Sequence, residues 1–293
     1  MKDFPLPVRA IGPGSQPVED EALQYLSMPQ EMNTFQMPQV PERADAEALR
    51  GARDVLTRFL QRMRDWDPGG AGEGPQIDLG GLPAPVLEVI NEMLGEGEVS
   101  IRADGDAGFR IQESVFTGLW RVCTLDGTGM LAADRLEAGA LPPVVTARAR
   151  AVASVALPLV PLPPGAMNSP ALLAEIANQM AGRVDGAPAH VINLTLFPLT
   201  PDDHAVLQQA VPLGTVAMIS RGFGNCHITS TGLRDVWRVQ YFNSMKTLIL
   251  NTVEIVDVPL VALAAPEDLE ESRERLAELV AWIDESCADA VEH

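Results

Sequence analysis

Cysteine is scarce in this chain of 293 residues, and the three present, Cys123, Cys226 and Cys287, stand too far apart to form a Cys-x-x-Cys pair. An odd, widely spaced set suits a reduced, cytoplasmic protein better than a disulfide scaffold. Positive charge is also in deficit, with 21 Lys plus Arg against 40 Asp plus Glu and a net charge of -19. That balance opposes binding to phosphate backbones and anionic membrane surfaces, so nucleic acid is not an expected partner. The same field favours a basic partner and keeps the chain soluble. No apolar run is long enough to enter a bilayer: the most apolar stretch, 151–162, is interrupted by Pro158 and Pro161. The opening residues Met1-Lys2-Asp3-Phe4-Pro5-Leu6-Pro7 predict no secretory signal, because an acid and two prolines stand where a basic end and an apolar run are required.

Recognised catalytic patterns are missing as well. There is no Gly-Lys-Ser/Thr phosphate loop, no glycine fingerprint with an acidic ribose ligand and no nucleophile elbow. The glycines of 69–74 follow no apolar strand and read as a linker. His190, His204, His227 and His293 are too scattered to form a triad with a neighbouring serine and acid.

What is present divides into four stretches. Residues 1–42 are rich in proline and read as an extended arm, in which Met28, Met32, Phe35 and Met37 offer an adaptable apolar surface. Those side chains could grip a partner or anchor the arm on the protein's own body. Residues 43–75 comprise an amphipathic helix from Arg43 to Trp66, with Ala48, Ala52, Val55, Leu56, Phe59, Leu60 and Met63 at helical spacing, followed by the linker. Residues 76–150 and 151–293 then carry an internal repeat.

Sliding the chain by 117 residues aligns Leu82 to Val144 with Leu199 to Val261 without a gap. Gly97 falls on Gly214, Ile111 on Ile228, Trp120-Arg121-Val122 on Trp237-Arg238-Val239, and Glu137 on Glu254. Each copy reads as a helix (Pro85 to Leu94, Pro201 to Val211) followed by three or four short strands. In the second copy the strands are expected at 215–220, 225–231, 235–242 and 248–258. The connections are too short for crossover helices, so the strands should be antiparallel. A final amphipathic helix runs from Pro266 to about Ala288. The expected fold is α+β, a duplicated module of helix plus antiparallel sheet with an N-terminal arm and a C-terminal helix.

Cys226-His227 combines a thiol and an imidazole, the residue types of nucleophilic and metal sites. Neighbours on a strand point to opposite faces, however, and copy one has Phe109-Arg110 at these positions, so packing or partner contact is the expected role. In the repeated Trp-Arg-Val, Trp and Val share one strand face and Arg takes the other. The recurring glutamates suggest structural pairs Arg121–Glu137 and Arg238–Glu254.

The run Leu213-Gly214-Thr215-Val216-Ala217-Met218-Ile219-Ser220-Arg221-Gly222-Phe223-Gly224-Asn225-Cys226-His227-Ile228, followed by Thr231 to Asn243, resembles the hydrogenase expression/formation proteins of the HupH and HyaF type. Leu94 to Ile101, Gln112 to Val122 and the arm from Met28 to Pro38 resemble other parts of the same family. The resemblance implies a maturation chaperone or scaffold for a nickel-iron hydrogenase rather than an enzyme, with no cofactor of its own. The implied partner is the iron-sulfur small subunit precursor, whose twin-arginine signal would suit an acidic surface, alongside other accessory proteins. Arg221, Phe223, Cys226, His227 and the arm's Met28, Met32, Phe35 and Met37 are the candidate contact residues. Two alternatives are a thiol-dependent redox or cluster-protection factor using Cys226, and a scaffold joining other maturation factors.

Overall fold

A computed structural model describes residues 45–70, 73–221 and 225–289. The first half contains α1 (Ala46–Arg64), β1 (Gln76–Asp78), α2 (Ala84–Leu94), β2 (Val99–Ala103), β3 (Gly108–Glu113), β4 (Leu119–Leu125), β5 (Leu131–Ala138) and α3 (Pro143–Ala151). The second contains α4 (Ser169–Ala181), β6 (His190–Asn193), α5 (Pro201–Ala210), β7 (Leu213–Ser220), β8 (Asn225–Thr231), β9 (Val236–Phe242), β10 (Leu248–Ile255) and α6 (Pro266–Asp289). The fold is α+β, and every pairing between these strands is antiparallel.

The two copies share one continuous ten-stranded sheet in the order β1-β5-β4-β3-β2-β7-β8-β9-β10-β6. They join where β2 meets β7, with Val99 opposite Ser220, Ile101 opposite Met218 and Ala103 opposite Val216. Ile101 and Met218 are each other's counterparts under the 117-residue shift, so a pseudo-twofold axis passes between them. Pairing the edges of the copies satisfies backbone groups that two separate sheets would leave open.

Helices cover one face of the sheet in two groups. Over the first half, α1 and α2 bury Leu56, Phe59, Ile90 and Met93 against Ile77, Leu119 and Leu136, and α6 returns to the same cluster with Leu276, Val280 and Ile283. Over the second half, α4 and α5 pack Leu172, Ile176, Val206 and Ala210 on Ile192, Val253 and Ile255. The opposite face carries Ile101, Ile111, Trp120, Val122, Met218, Ile228, Trp237 and Val239, covered by Val145 and Ala149 of α3 and by residues of 256–262. Each fully buried large apolar side chain contributes roughly 1.5–3 kcal/mol.

The ends of the elements follow from local chemistry. Asp45 caps α1, and Arg62 and Arg64 sit in its last turn, where they complement the helix dipole. Thr200 and Asp203 form a capping box on α5. The buried Asp203 carboxylate also accepts the Asn168 and Ser169 backbone N–H groups at 2.9 and 2.8 Å, so one side chain ties the starts of α4 and α5 together. Although burial alone would raise it, these donors hold Asp203 well below the usual carboxylate range. Gly97 and Gly214 recur because a Cβ at either would collide with backbone carbonyl groups, of Ser114 and Thr231 respectively.

Four elements were not foreseen. The strands β1 and β6 are only three and four residues long, α3 starts from a Pro-Pro pair, and α4 follows a proline-rich stretch with small residues along much of its length. Among the described residues no helix is long and apolar enough to cross a membrane.

Candidate functional site: the polar lane of the sheet

Between the two groups of helices, the middle of the helix-bearing face presents polar side chains. Strand alternation places Ser100 and Arg102 of β2, Arg110 and Gln112 of β3, and Arg121 and Cys123 of β4 on this face in the first half. From the second half it receives Ile219, His227, Thr229, Arg238, Gln240 and Asn251. Ser100, Arg102, Gln112, Arg121, Ile219, His227 and Arg238 remain half-buried.

Polar contacts fix this lane. Arg121 grips Asp134 with both nitrogens of its fork, Nε to Oδ1 at 3.0 Å and Nη2 to Oδ2 at 2.6 Å, and also reaches Asn91 of α2. The Asp134 hydrogen bond keeps the Arg121 guanidinium charged to still higher pH than usual. Arg102 and Arg110 converge on Asp104 at 2.7 and 3.4 Å. The Gln112 amide reaches the carbonyls of Gly97, Val99 and Glu113. In the second half Arg238 Nε donates to Asn251 Oδ1 at 3.2 Å.

The expected pairs Arg121–Glu137 and Arg238–Glu254 are therefore corrected. Glu137 stands opposite Trp120, and Glu254 opposite Trp237, so both glutamates lie on the tryptophan face and the arginines on the other. Glu137 takes Arg135 as its partner, and Thr252 donates to Glu254 at 3.1 Å. The residues that do meet the arginines, Asp134 and Asn251, are themselves counterparts under the 117-residue shift. The signal for them was strand alternation applied to β5 and β10.

Cys226 and His227 point to opposite faces. Cys226 is buried in the tryptophan-face core, where burial pushes its thiol up to about 11 despite a hydrogen bond from Tyr241. His227 lies on the polar lane with its ring 4.7 Å from that of Phe242, and burial lowers its pKa, which favours neutral imidazole. Its Nδ1 and the Nε2 of Gln240, directly across from it, have no hydrogen-bond partner among the described residues. The Arg221 backbone N–H donates to the Glu98 carbonyl at 3.2 Å. Phe223 and the arm residues Met28, Met32, Phe35 and Met37 lie outside the described residues.

Asp185, Asp235 and Asp257 bring carboxylate oxygens within 4.8 Å of one another. Arg150 reaches Asp235 and Asp257 at 2.6 Å each, and Arg183 reaches Asp257 at 2.9 Å. Two guanidinium groups already supply the positive charge a cation would bring, so the cluster is an ion-pair network joining α3 to the second half of the chain. The outer side of α6 is different. Glu267, Glu271, Glu274, Glu278 and Glu285 recur at helical spacing, all exposed, with Trp282 in the same row and 46% exposed.

The model of the HupH hydrogenase expression protein C-terminal conserved region matches this chain twice, over residues 49–159 and 166–283. The hydrogenase expression/formation protein HoxQ of Cupriavidus necator is 44% identical over 286 residues, covering 97% of this chain and 99% of that protein. The hydrogenase-1 operon protein HyaF of Escherichia coli is 36% identical over 284 residues, covering 94% and 96%. A solved structure of the hydrogenase expression protein HupH from Thiobacillus denitrificans is 25% identical, covering 39% of this chain and 95% of that one, with a TM-score of 0.36.

Proposed function

This chain belongs to the HupH family of hydrogenase expression/formation proteins, and on that premise we propose that it is a non-catalytic chaperone for the iron-sulfur small subunit of a nickel-iron hydrogenase. It would act in the cytoplasm, holding the immature subunit before export or assembly, alongside other accessory proteins. The observation that carries this reading beyond the family is the outer row of α6, five exposed glutamates and a half-exposed tryptophan on one helix side. Such a row suits a segment that combines positive charge with apolar residues, as an export signal does. Charge complementarity of this kind speeds encounter and discriminates between partners.

The buried Cys226 thiol does not favour the redox alternative, since attack and metal binding need a thiolate and its pKa stands at about 11. Co-purification from hydrogenase-producing cells tests the proposal. The full chain used as bait should retain the small subunit precursor. Failure to retain it under low-salt conditions that preserve weak complexes would contradict the chaperone role.

A further inference from the structure

The connection between the two halves of the sheet carries nine residues, Ala156-Leu157-Pro158-Leu159-Val160-Pro161-Leu162-Pro163-Pro164, that form neither helix nor strand. Their burial nevertheless has a strict period. Leu157, Val160 and Pro163 are half-buried, and every residue between them is exposed. Leu157 and Val160 pack against the cluster formed by α4 and α5. Three residues per turn is the period of a polyproline II helix, and proline at four of the nine positions favours that conformation. No backbone–backbone hydrogen bond joins residues 157–162 to one another or to another described residue, in keeping with a helix that has no internal hydrogen bonds.

With one edge docked, two rows face outward: Pro158, Pro161 and Pro164 in one, Leu159 and Leu162 in the other. Leu159 is fully exposed, at 104%, and Leu162 is 55% exposed. Apolar side chains held in water on a stiff backbone present a ready-made ridge, and a partner binding it pays little ordering entropy. Ridges of this type are read by shallow grooves lined with tryptophan and tyrosine, whose flat rings pack between successive prolines.

We propose that residues 156–164 are a preformed polyproline II docking strap, recognised through its outward proline and leucine rows by an aromatic-lined groove on another protein of the maturation machinery. The inward residues Leu157 and Val160 belong to the fold, and the outward rows belong to the partner. This use of the strap is separate from the acidic row of α6.

The test places the photo-cross-linking amino acid p-benzoylphenylalanine at position 159 of the full chain, in hydrogenase-producing cells, and maps the cross-linked peptide by mass spectrometry. The expected product joins position 159 to a tryptophan- or tyrosine-bearing surface of a different protein. Its yield should fall about tenfold when Pro158→Ala, Pro161→Ala and Pro164→Ala together loosen the helix while leaving Leu157 and Val160 in place. Cross-links only to a second copy of this chain, no cross-link at all, or a yield indifferent to the prolines would overturn the proposal. The small subunit need not be the cross-linked protein, so loss of small-subunit capture and loss of this cross-link are separate outcomes.

Discussion

Arg121 closes on Asp134 through two hydrogen bonds at 2.6 and 3.0 Å, whereas its counterpart Arg238 donates to an amide, Asn251, at 3.2 Å. The contact recurs at equivalent positions, as a two-pronged ion pair in the first half and as a hydrogen bond to a neutral amide in the second. The two sites flank the pseudo-twofold axis on the same face of one sheet, and they are unequal in charge.

Removing the acid from the first half should therefore matter. Asp134→Asn leaves a half-buried guanidinium with a weaker acceptor, and urea denaturation should show a loss of about 2 kcal/mol. A loss below about 0.5 kcal/mol would mean that Arg121 is held by Asn91 and solvent alone.

Stability should also depend on the protonation of Glu113. This buried side chain accepts the Gly118 N–H at 2.9 Å, and burial, with Glu98 and Asp268 nearby, raises its pKa from 4.5 to about 7. The folded protein then retains a proton that the unfolded chain gives up from about pH 4.5, so this group's contribution to stability declines between about pH 4.5 and 7 and is level above that. Glu113→Gln should remove on the order of 3 kcal/mol of that decline. Parallel stability-pH curves for variant and parent would show that Glu113 titrates normally.

The thiol of Cys226 should be inert in the native state. At pH 8, iodoacetamide should leave it unmodified until the protein is unfolded, and Cys226→Ser should not impair hydrogenase maturation. Rapid native-state alkylation of Cys226, or loss of maturation in a variant that folds normally, would restore a redox role.

The acidic row of α6 should govern encounter with a basic client. Replacing Glu271, Glu274 and Glu278 with lysine changes exposed positions only and should slow association with the small subunit precursor by about tenfold at low salt, with less effect as salt rises. An unchanged association rate would place the client elsewhere on the protein.

Much of this architecture was legible because duplication writes each signal twice. The strand at Asn225–Thr231 matches its expected limits, and the apolar spacing of α1 and α6 predicted the sides that they bury. The repeat did not say how the two copies meet; the pairing of Ile101 with Met218 shows that they fuse into one sheet. Short elements escaped, since three residues of β1 carry no periodicity. The polar lane was half legible. Alternation separated Trp120 from Arg121 correctly, but the choice of Glu137 as the arginine's partner needed the β4–β5 register, which puts Trp120 opposite Glu137 and leaves Asp134 on the arginine's face. The burial rhythm of the proline strap could not be read in advance, because it depends on where α4 and α5 stand.

The most direct test of the chaperone assignment is calorimetric titration of the purified full chain with the small subunit precursor and with the same subunit lacking its signal segment. A saturable complex with the precursor, weakened by removal of the signal and by added salt, is the predicted result. No detectable heat or complex with either form at concentrations of about 100 μM, where even weak association registers, would contradict it.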